Sequence, residues 1–179
     1  FLTVSSALAC VAYSSELLAQ QADLRLEEVV VTAQKRDESM QDVALSVTAV
    51  SGEQIADMNL FNMQALAPYV TNFYEAKTPT FSVITIRGLG SAPNPGFEQS
   101  VAMYNDGVYW GRGRQMVAPL FDLHAIEVLK GPQSILFGKN SIAGAVTISS
   151  EMPTDELSGY GRVLYGEDEE SKIEAAISG

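Results

Sequence analysis

The chain has 179 residues, 46% of them hydrophobic, and a formal net charge of −11. Nucleic-acid phosphates require a basic face, so this acidic balance argues against a nucleic-acid partner. The single histidine, His124, has no cysteine beside it, no acid at helical ligand spacing and no Gly-x-Ser-x-Gly motif to accompany it, so we predict no metal site, no cofactor and no catalytic residue.

An apolar run interrupted by serines fills residues 1–19. It is too interrupted to span a membrane as a helix and is typical of the hydrophobic region of a signal peptide. The chain begins at Phe1 and the run lacks a basic start, so we expect the true N-terminus to lie upstream. Residues 1–22 are therefore predicted to be a signal-peptide remnant, with cleavage after Ser14, Ala19 or Ala22.

Residues 23–41 are polar apart from a short valine run at 29–31. Four charged residues follow one another at 35–38, so the segment cannot bury enough apolar area to order itself. We predict a flexible tether here. The alternative is that residues 29–31 pack as an edge strand on the domain that follows.

The next elements are short and clearly bounded. Residues 43–50 alternate between apolar and polar side chains, which predicts a strand. Ser51 and Gln54 form a capping-box pattern that starts a helix reaching about Met58. Asn62 is expected to cap a second helix, which Pro68 ends because its ring disfavours a helical conformation for the preceding residue.

A second group of strands surrounds a loop rich in glycine and proline. Residues 81–87 predict a strand, residues 88–99 a loop without periodicity, and Asp106-Gly107 a tight hairpin turn between strands 101–104 and 108–110. Aromatic rings and arginines converge in concave ligand sites. This region offers such a surface, or else packs against a further domain, with Phe97, Tyr104, Tyr109, Trp110, Arg112 and Arg114 as the candidate ligand-facing residues.

The last part of this domain repeats the pattern of short strands and short helices. Residues 126–129 and 145–149 predict strands, and Pro132 fits the first turn of a helix that ends near Phe137. Gly131 and Gly138 are spaced too widely for a phosphate-binding loop. Residues 42–154 therefore predict one α+β domain with a small mixed sheet.

Residues 155–179 have a different alternation. Apolar side chains share one strand face at 161–165 and at 173–177, while Arg162, Lys172 and Glu174 lie on the opposing faces. We predict strands 158–166 and 172–179 joined at 167–171, with one long bulged strand as the alternative. The acidic residues 167–170 lack the ligand spacing of a calcium loop and indicate a solvated turn.

Two stretches resemble a known family. Residues 122–154, DLHAIEVLKGPQSILFGKNSIAGAVTISSEMPT, resemble the signature of TonB-dependent outer-membrane receptors, and residues 27–33, EEVVVTA, resemble their TonB box. The two occur in the family's order. The resemblance implies that the α+β domain is a plug and that the final hairpin begins an antiparallel transmembrane β-barrel. Since 179 residues cannot hold both a plug and such a barrel, we expect the chain to be a fragment.

The resemblance also implies site residues and partners. The C-terminal domain of TonB is expected to pair with the TonB box, which consists of Glu28, Val29, Val30, Val31, Thr32 and Ala33. Arg87 and Lys130 are expected to pair with acids on the inner wall of the protein's own barrel, or alternatively to form salt bridges within the plug. The upper loops of the plug are expected to face the ligand.

The function implied is active transport across the outer membrane of a Gram-negative bacterium, with a ferric siderophore as the expected ligand. Cobalamin, haem, nickel chelates and oligosaccharides remain alternatives. A stand-alone periplasmic binding module is the alternative from another class, and an enzyme is not expected.

Overall fold

The computed structural model describes residues 30–31, 38–41, 43–91, 96, 98–166 and 171–179. None of the helices within these ranges is long and apolar enough to cross a membrane. The α-helices are α1 (Gly52–Asp57), α2 (Met63–Leu66) and α3 (Ser134–Phe137). The strands are β1 (Val30–Val31), β2 (Glu38–Ser39), β3 (Ser46–Ser51), β4 (Phe73–Lys77), β5 (Ser82–Ile86), β6 (Leu89–Gly90), β7 (Val101–Asn105), β8 (Val108–Tyr109), β9 (Leu123–Lys130), β10 (Gly144–Ser150), β11 (Ser158–Tyr165) and β12 (Ser171–Ser178).

A five-stranded mixed sheet in the order β3-β9-β10-β7-β8 forms the centre of the domain. β10 runs parallel to β7, and the other neighbours are antiparallel. β4, β5 and β6 form a separate antiparallel sheet of three strands. These short helices and mixed strands confirm the predicted α+β class.

Both faces of the five-stranded sheet are covered. Consecutive residues of one strand enter different cores: Val128 packs in the main core and Leu129 in a second core behind the sheet. The main core holds apolar side chains of α1, α2 and the three-stranded sheet, including Ile55, Leu66 and Ile84. The second core is smaller and includes the side chains of Val31 from β1 and Phe137 from α3.

Local signals in the sequence start several of these elements. The Ser51 Oγ accepts from the Gln54 backbone N–H at 3.3 Å, and the Gln54 side chain accepts from the Ser51 N–H at 3.2 Å. Asn62 Oδ1 accepts from the Ala65 N–H at 2.9 Å and begins α2. Asp106 and Gly107 have φ of 48° and 77°, the left-handed pair that a two-residue hairpin turn requires. These predicted caps and this predicted turn are confirmed.

Several predicted bounds were wrong. β9 begins three residues before Ile126, and Leu89–Gly90 lies in a strand rather than in the predicted loop, because it pairs with Thr85 and Ile86. Pro132 lies before α3 rather than in its first turn, since Gln133 is the N-cap residue. The helix that Pro68 was expected to stop ends at Leu66 and continues as a 3-10 turn that contains the proline.

The C-terminal strands form an antiparallel hairpin. All eight residues of β11 pair with β12, from Ser158 opposite Ser178 to Tyr165 opposite Ser171. This confirms the hairpin over the single bulged strand. The turn residues 167–170 lie outside the described residues.

Candidate functional site

The site predicted from sequence gathers at one end of the five-stranded sheet. Gly144 lies opposite Val101 on one side and Lys130 on the other, so β7 and β10 begin and β9 ends at the same end of the sheet. The segment after β8 returns toward this end, because the Trp110 N–H donates to the Met103 carbonyl at 2.7 Å. We call the end of the sheet at Val101, Lys130 and Gly144 the loop end.

Two cations lie together at the loop end. Arg87, with φ of 51°, and Gly88 form the turn between β5 and β6, and the Arg87 Nη1 lies 3.4 Å from where a Cβ on Gly131 would stand. Burial, and secondarily the charge of Arg87, lowers the pKa of the neighbouring Lys130 ammonium. Among the described residues no carboxylate forms a salt bridge with either side chain. The fold therefore brings the Arg87 guanidinium to Gly131, next to Lys130, and the described residues provide neither cation with an anion.

Three aromatic rings cluster behind the sheet. The Tyr104 ring lies 5.5 Å from that of Tyr109 and 5.3 Å from that of Phe137, measured between centroids. The Tyr104 hydroxyl donates to the Phe137 carbonyl at 2.7 Å, and burial raises its pKa. Tyr109 is 37% exposed and its hydroxyl accepts from the Asn140 amide. Tyr104 is thus a packing residue, while Tyr109 presents a ring edge at the surface.

A polar network joins the segments on either side of these rings. The Glu98 carboxylate accepts from Asn140 Nδ2 at 2.9 Å and lies 3.0 Å from Lys139 Nζ. Hydrogen bonds from Lys139 and Asn140 hold the pKa of Glu98 below its ordinary value. The Arg112 guanidinium donates to the Gly96 carbonyl at 3.0 Å. These contacts tie Glu98 to the loop before β10 and Gly96 to the segment after β8.

The other predicted ligand-facing residues do not share one location. Trp110 is half-buried and packs against the main core, on the opposite side of the sheet from Tyr104. Arg112 and Arg114 are exposed, and Phe97 lies outside the described residues. The structure therefore brings Tyr109 and Arg112 to the loop end but does not join Trp110 to the tyrosines. Their contact with a ligand stays a prediction.

The predicted TonB box is described only at Val30 and Val31. Glu28, Val29, Thr32 and Ala33 lie outside the described residues. Val31 is fully buried in the second core, and Val30 and Val31 pair with Ser39 and Glu38. The Val31 side chain thus packs with the second core, which also contains Phe137 and Val43. Most of residues 23–41 lie outside the described residues, so the flexible tether and the alternative edge strand both stay predictions.

The opposite end of the sheet carries the exit of the chain toward β11. Asp106 accepts from both the N–H and the hydroxyl of Ser150 at 2.8 Å, and the Glu151 N–H donates to the Asp122 carbonyl at 3.0 Å. His124 lies 3.3 Å from Glu151 at the surface. The described residues contain no cluster of metal-ligating side chains.

Sequence reasoning missed several residues of the loop end. Glu98, Lys139 and Asn140 form its polar network, and Glu75 and Gln99 lie buried beneath it. Lys139 and Asn140 directly follow Gly138, in the stretch whose glycine spacing argued against a phosphate-binding loop. The two buried polar residues carried no signal, because a glutamate or a glutamine in a polar sequence context is usually exposed.

Comparisons with known proteins agree with this architecture. The model of the TonB-dependent Receptor Plug Domain family matches residues 39–145. A pesticin receptor of Yersinia pestis is 30% identical over 135 residues, covering 74% of this chain and 20% of that protein. A ferrioxamine receptor of Yersinia enterocolitica is 30% identical over 138 residues, covering 75% and 19%.

The solved structure of the ferric yersiniabactin uptake receptor of Yersinia pestis matches with a TM-score of 0.58 and 26% identity, covering 66% of this chain and 18% of that one. The chain spans about a fifth of the length of the curated relatives it matches. These relatives are receptors for transport, not enzymes, and they belong to the outer membrane of Gram-negative bacteria. Because the family model matches more than half of its residues, the chain belongs to the plug domain family of TonB-dependent receptors.

Proposed function

We propose that the chain is the plug and energy-coupling part of an outer-membrane transporter for ferric siderophores, driven by TonB. The observation that carries the proposal is its likeness to a ferrioxamine receptor and a ferric yersiniabactin uptake receptor, each over about two thirds or more of this chain. In this reading the plug closes the barrel, contacts ligand at the loop end and presents the TonB box to the periplasm.

The basic pair at the loop end supports a barrel around this plug. Arg87 and Lys130 repel each other and have no described salt-bridge partner. Arg87 is exposed and Lys130 half-buried in this chain, so a wall that covered them would have to supply partners, because an unpaired charge at a buried interface costs on the order of 3–5 kcal/mol. Acidic side chains on the inner barrel wall would pair with both cations.

The loop end supports ligand contact by its composition. Tyr109 offers an aromatic edge, Arg112 and Arg114 offer exposed cations, and the Glu98 network holds the segments that carry them. Ferric siderophores present oxygen-rich, often anionic surfaces, which guanidinium groups bind well.

The TonB box supports coupling by strand addition. An extended β-branched run has main-chain groups that extend the edge of a partner's sheet. Val30 and Val31 pair with Ser39 and Glu38 of β2, so their transfer to TonB would exchange these backbone hydrogen bonds for bonds to the partner's sheet. Release of Val31 from the second core would accompany that transfer.

The first test titrates the full-length receptor with a panel of ferric siderophores, with haem and cobalamin as further arms. We expect one ferric siderophore to bind, and the combined Tyr109→Ala and Arg112→Ala variant to bind it at least tenfold more weakly. Tyr69→Ala, an exposed ring beyond α2, is the control and should keep full affinity. Binding of haem or cobalamin alone would contradict the proposed ligand class.

The second test separates coupling from binding. Val30→Pro removes a main-chain donor and fixes φ, whereas Val30→Ala keeps both, so only the proline variant should stop energised uptake. Ligand binding should persist in both variants. Uptake that survives Val30→Pro would show that this run is not the coupling segment.

A further inference from the structure

A buried polar cluster lies where three segments of the plug meet below the loop end. Glu75 on β4 and Gln99, just before β7, are each 3% exposed, and Ser82 at the start of β5 is fully buried. The Ser82 hydroxyl donates to Glu75 Oε1. Three polar side chains from three segments are thus removed from water, and two of them, Ser82 and Glu75, are joined by a hydrogen bond.

Gly113 brings a fourth segment into this region. The Ser82 N–H donates to the Gly113 carbonyl at 2.9 Å. A Cβ on Gly113 would overlap the Ser82 carbonyl oxygen and would lie 3.5 Å from the Gln99 Nε2. The close approach therefore requires glycine, and it places Gln99 and Ser82 on the same side of the segment that carries Arg112 and Arg114.

Two oxygen atoms of the cluster have no hydrogen-bond partner among the described residues. They are Glu75 Oε2 and Gln99 Oε1. Leaving a buried acceptor unsatisfied costs about 1–3 kcal/mol, and more when the group is charged. An ionised carboxylate can only accept hydrogen bonds, whereas a protonated one also donates through its O–H. One proton on Glu75 would therefore satisfy both oxygens at once.

We propose that Glu75 is a neutral acid in the folded plug and that its Oε2–H donates to Gln99 Oε1. This hydrogen bond holds the ligand-facing segments against β5. Those segments are the Gln99 end of the loop before β7 and the residues around Gly113. Their role in ligand contact rests on the proposed function. The hydrogen bond itself does not.

The surroundings favour the neutral form. Burial raises the pKa of Glu75, and the Ser82 hydrogen bond and the charge of Lys77 oppose this only in part. Few of the described charged or titratable side chains lie on the elements that pack around Glu75. The charged and titratable side chains on these elements are exposed to solvent. They are Lys77 and Tyr74 on its own strand, Tyr69 on the adjacent 3-10 turn, Glu98 beside Gln99, and Arg112 and Arg114 beside Gly113.

The proton should couple the cluster to pH. Because the folded pKa of Glu75 is raised, the folded state holds the proton where the opened cluster releases it. The stabilisation is fully present at low pH and is lost as pH rises through the folded pKa. Between the two pKa values, protection of the Ser82 amide from exchange should fall about tenfold per pH unit beyond the intrinsic pH effect.

The direct test uses infrared difference spectroscopy on the full-length receptor at about pH 5.5, more than a unit above the ordinary glutamate pKa of about 4.3. We expect a protonated-carboxyl C=O band that Glu75→Gln removes and that shifts in Gln99→Leu, where the acceptor is lost. Absence of a band assignable to Glu75 would overturn the proposal. A band that Gln99→Leu leaves unchanged would overturn the assigned partner.

Amide exchange supplies the second readout, without ligand. Glu75→Gln keeps the shape and a donor but has no titrating proton, so its Ser82 amide should stay protected with no extra pH dependence. Glu75→Ala should lose protection by at least tenfold at every pH, unless it fails to fold, in which case Glu75→Gln and the wild type still decide. The same pH dependence in wild type and Glu75→Gln would contradict the proposal.

A third measurement separates this inference from the proposed function. Affinity for the bound ferric siderophore should fall with rising pH in the wild type and stay flat in Glu75→Gln. If no ferric siderophore binds at all while the infrared band and the exchange pattern are present, the proposed ligand is wrong and the role of Glu75 stands.

Discussion

The plug sheet and the C-terminal hairpin differ in where their apolar side chains lie. In β10, Val146 is fully buried and Ile148 is 4% exposed, whereas in β12, Ile173 is 80% and Ile177 is 83% exposed. The polar face of the hairpin lies toward the plug instead: the Lys172 ammonium stands 3.7 Å from the Phe61 ring centroid, and Lys172 pairs with Glu174. Alternation alone thus does not tell which face of a strand meets protein.

The difference has a physical cause. The apolar face of β10 is covered by the helices and by the three-stranded sheet, which bring apolar side chains of their own. Among the described residues nothing covers Val163, Ile173 and Ile177 on the hairpin. A row of exposed apolar side chains is costly in water and favourable in lipid, which is the arrangement of a transmembrane barrel strand.

The largest effect on stability should appear when the same isoleucine-to-alanine truncation is compared between a strand of the central sheet and a strand of the hairpin. Ile126→Ala removes a fully buried side chain of the main core and should cost about 2–5 kcal/mol of unfolding free energy. Ile177→Ala, at an exposed position, should change it by about 0.5 kcal/mol or less. Equilibrium urea unfolding of the chain measures both. Equal losses would mean that the apolar face of the hairpin is covered by protein.

An added charge should destabilise the two faces of the hairpin to different extents, and two neighbouring alanines on opposite faces test this. Ala175→Lys adds a charge to the apolar face and should cost up to about 2–4 kcal/mol in a membrane-inserted receptor, depending on depth. Ala176→Lys, on the face toward the plug, is the matched control and should cost less. The folded fraction after insertion into lipid vesicles measures the difference. A larger loss for Ala176→Lys would contradict the assigned faces.

A smaller effect is expected at the cap that joins the central sheet to α1. Ser51→Ala removes the acceptor for the Gln54 N–H and should cost about 1 kcal/mol. Gln54→Ala tests the reciprocal half of the capping box, and Ser46→Ala, at the other end of β3, is the control. Thermal unfolding of the chain measures all three. An unchanged midpoint for Ser51→Ala would show that packing on β9 alone holds α1.

The smallest effect in the isolated chain should come from the basic pair. Lys130→Met removes the repulsion from Arg87 and should leave stability unchanged or slightly raised, within about 0.5 kcal/mol. In a full-length receptor it should instead speed amide exchange at residues 126–131, because a contact with the barrel is lost. Lys139→Met, at an exposed salt bridge, is the control. Unchanged exchange in the receptor would leave Lys130 without a role in holding the plug.

Where an element depends on residues close in sequence, the sequence predicted it well. The Ser51 capping box, the Asn62 cap and the Asp106-Gly107 turn each need only three or four residues, and the structure has all three. β4 was not predicted. Its inward positions are Phe73 and Glu75, and a buried glutamate breaks the apolar alternation from which a strand is recognised.

The sequence predicted which residues belong to the candidate site better than it predicted how they are arranged in space. Tyr104, Tyr109 and Trp110 are near neighbours in sequence, yet Tyr104 packs in the second core and Trp110 against the main one. Strand geometry sends successive side chains to opposite faces, and the return of the chain after β8 decides which face Trp110 meets. The partners Glu98 and Asn140 are 42 residues apart, a distance over which no local pattern gives a signal.

The sequence by itself determined the family, the α+β class and the final hairpin, because these follow from ordered motifs, short-range turn and cap chemistry, and side-chain alternation. Only the tertiary structure decided that Val31 is buried, that the Arg87 guanidinium reaches Gly131 next to Lys130, and that Glu75, Ser82 and Gln99 are all buried. The reason is physical: burial, like-charge proximity and hydrogen-bond satisfaction depend on which distant segments meet, and that is set by the packing of the sheets rather than by neighbouring residues.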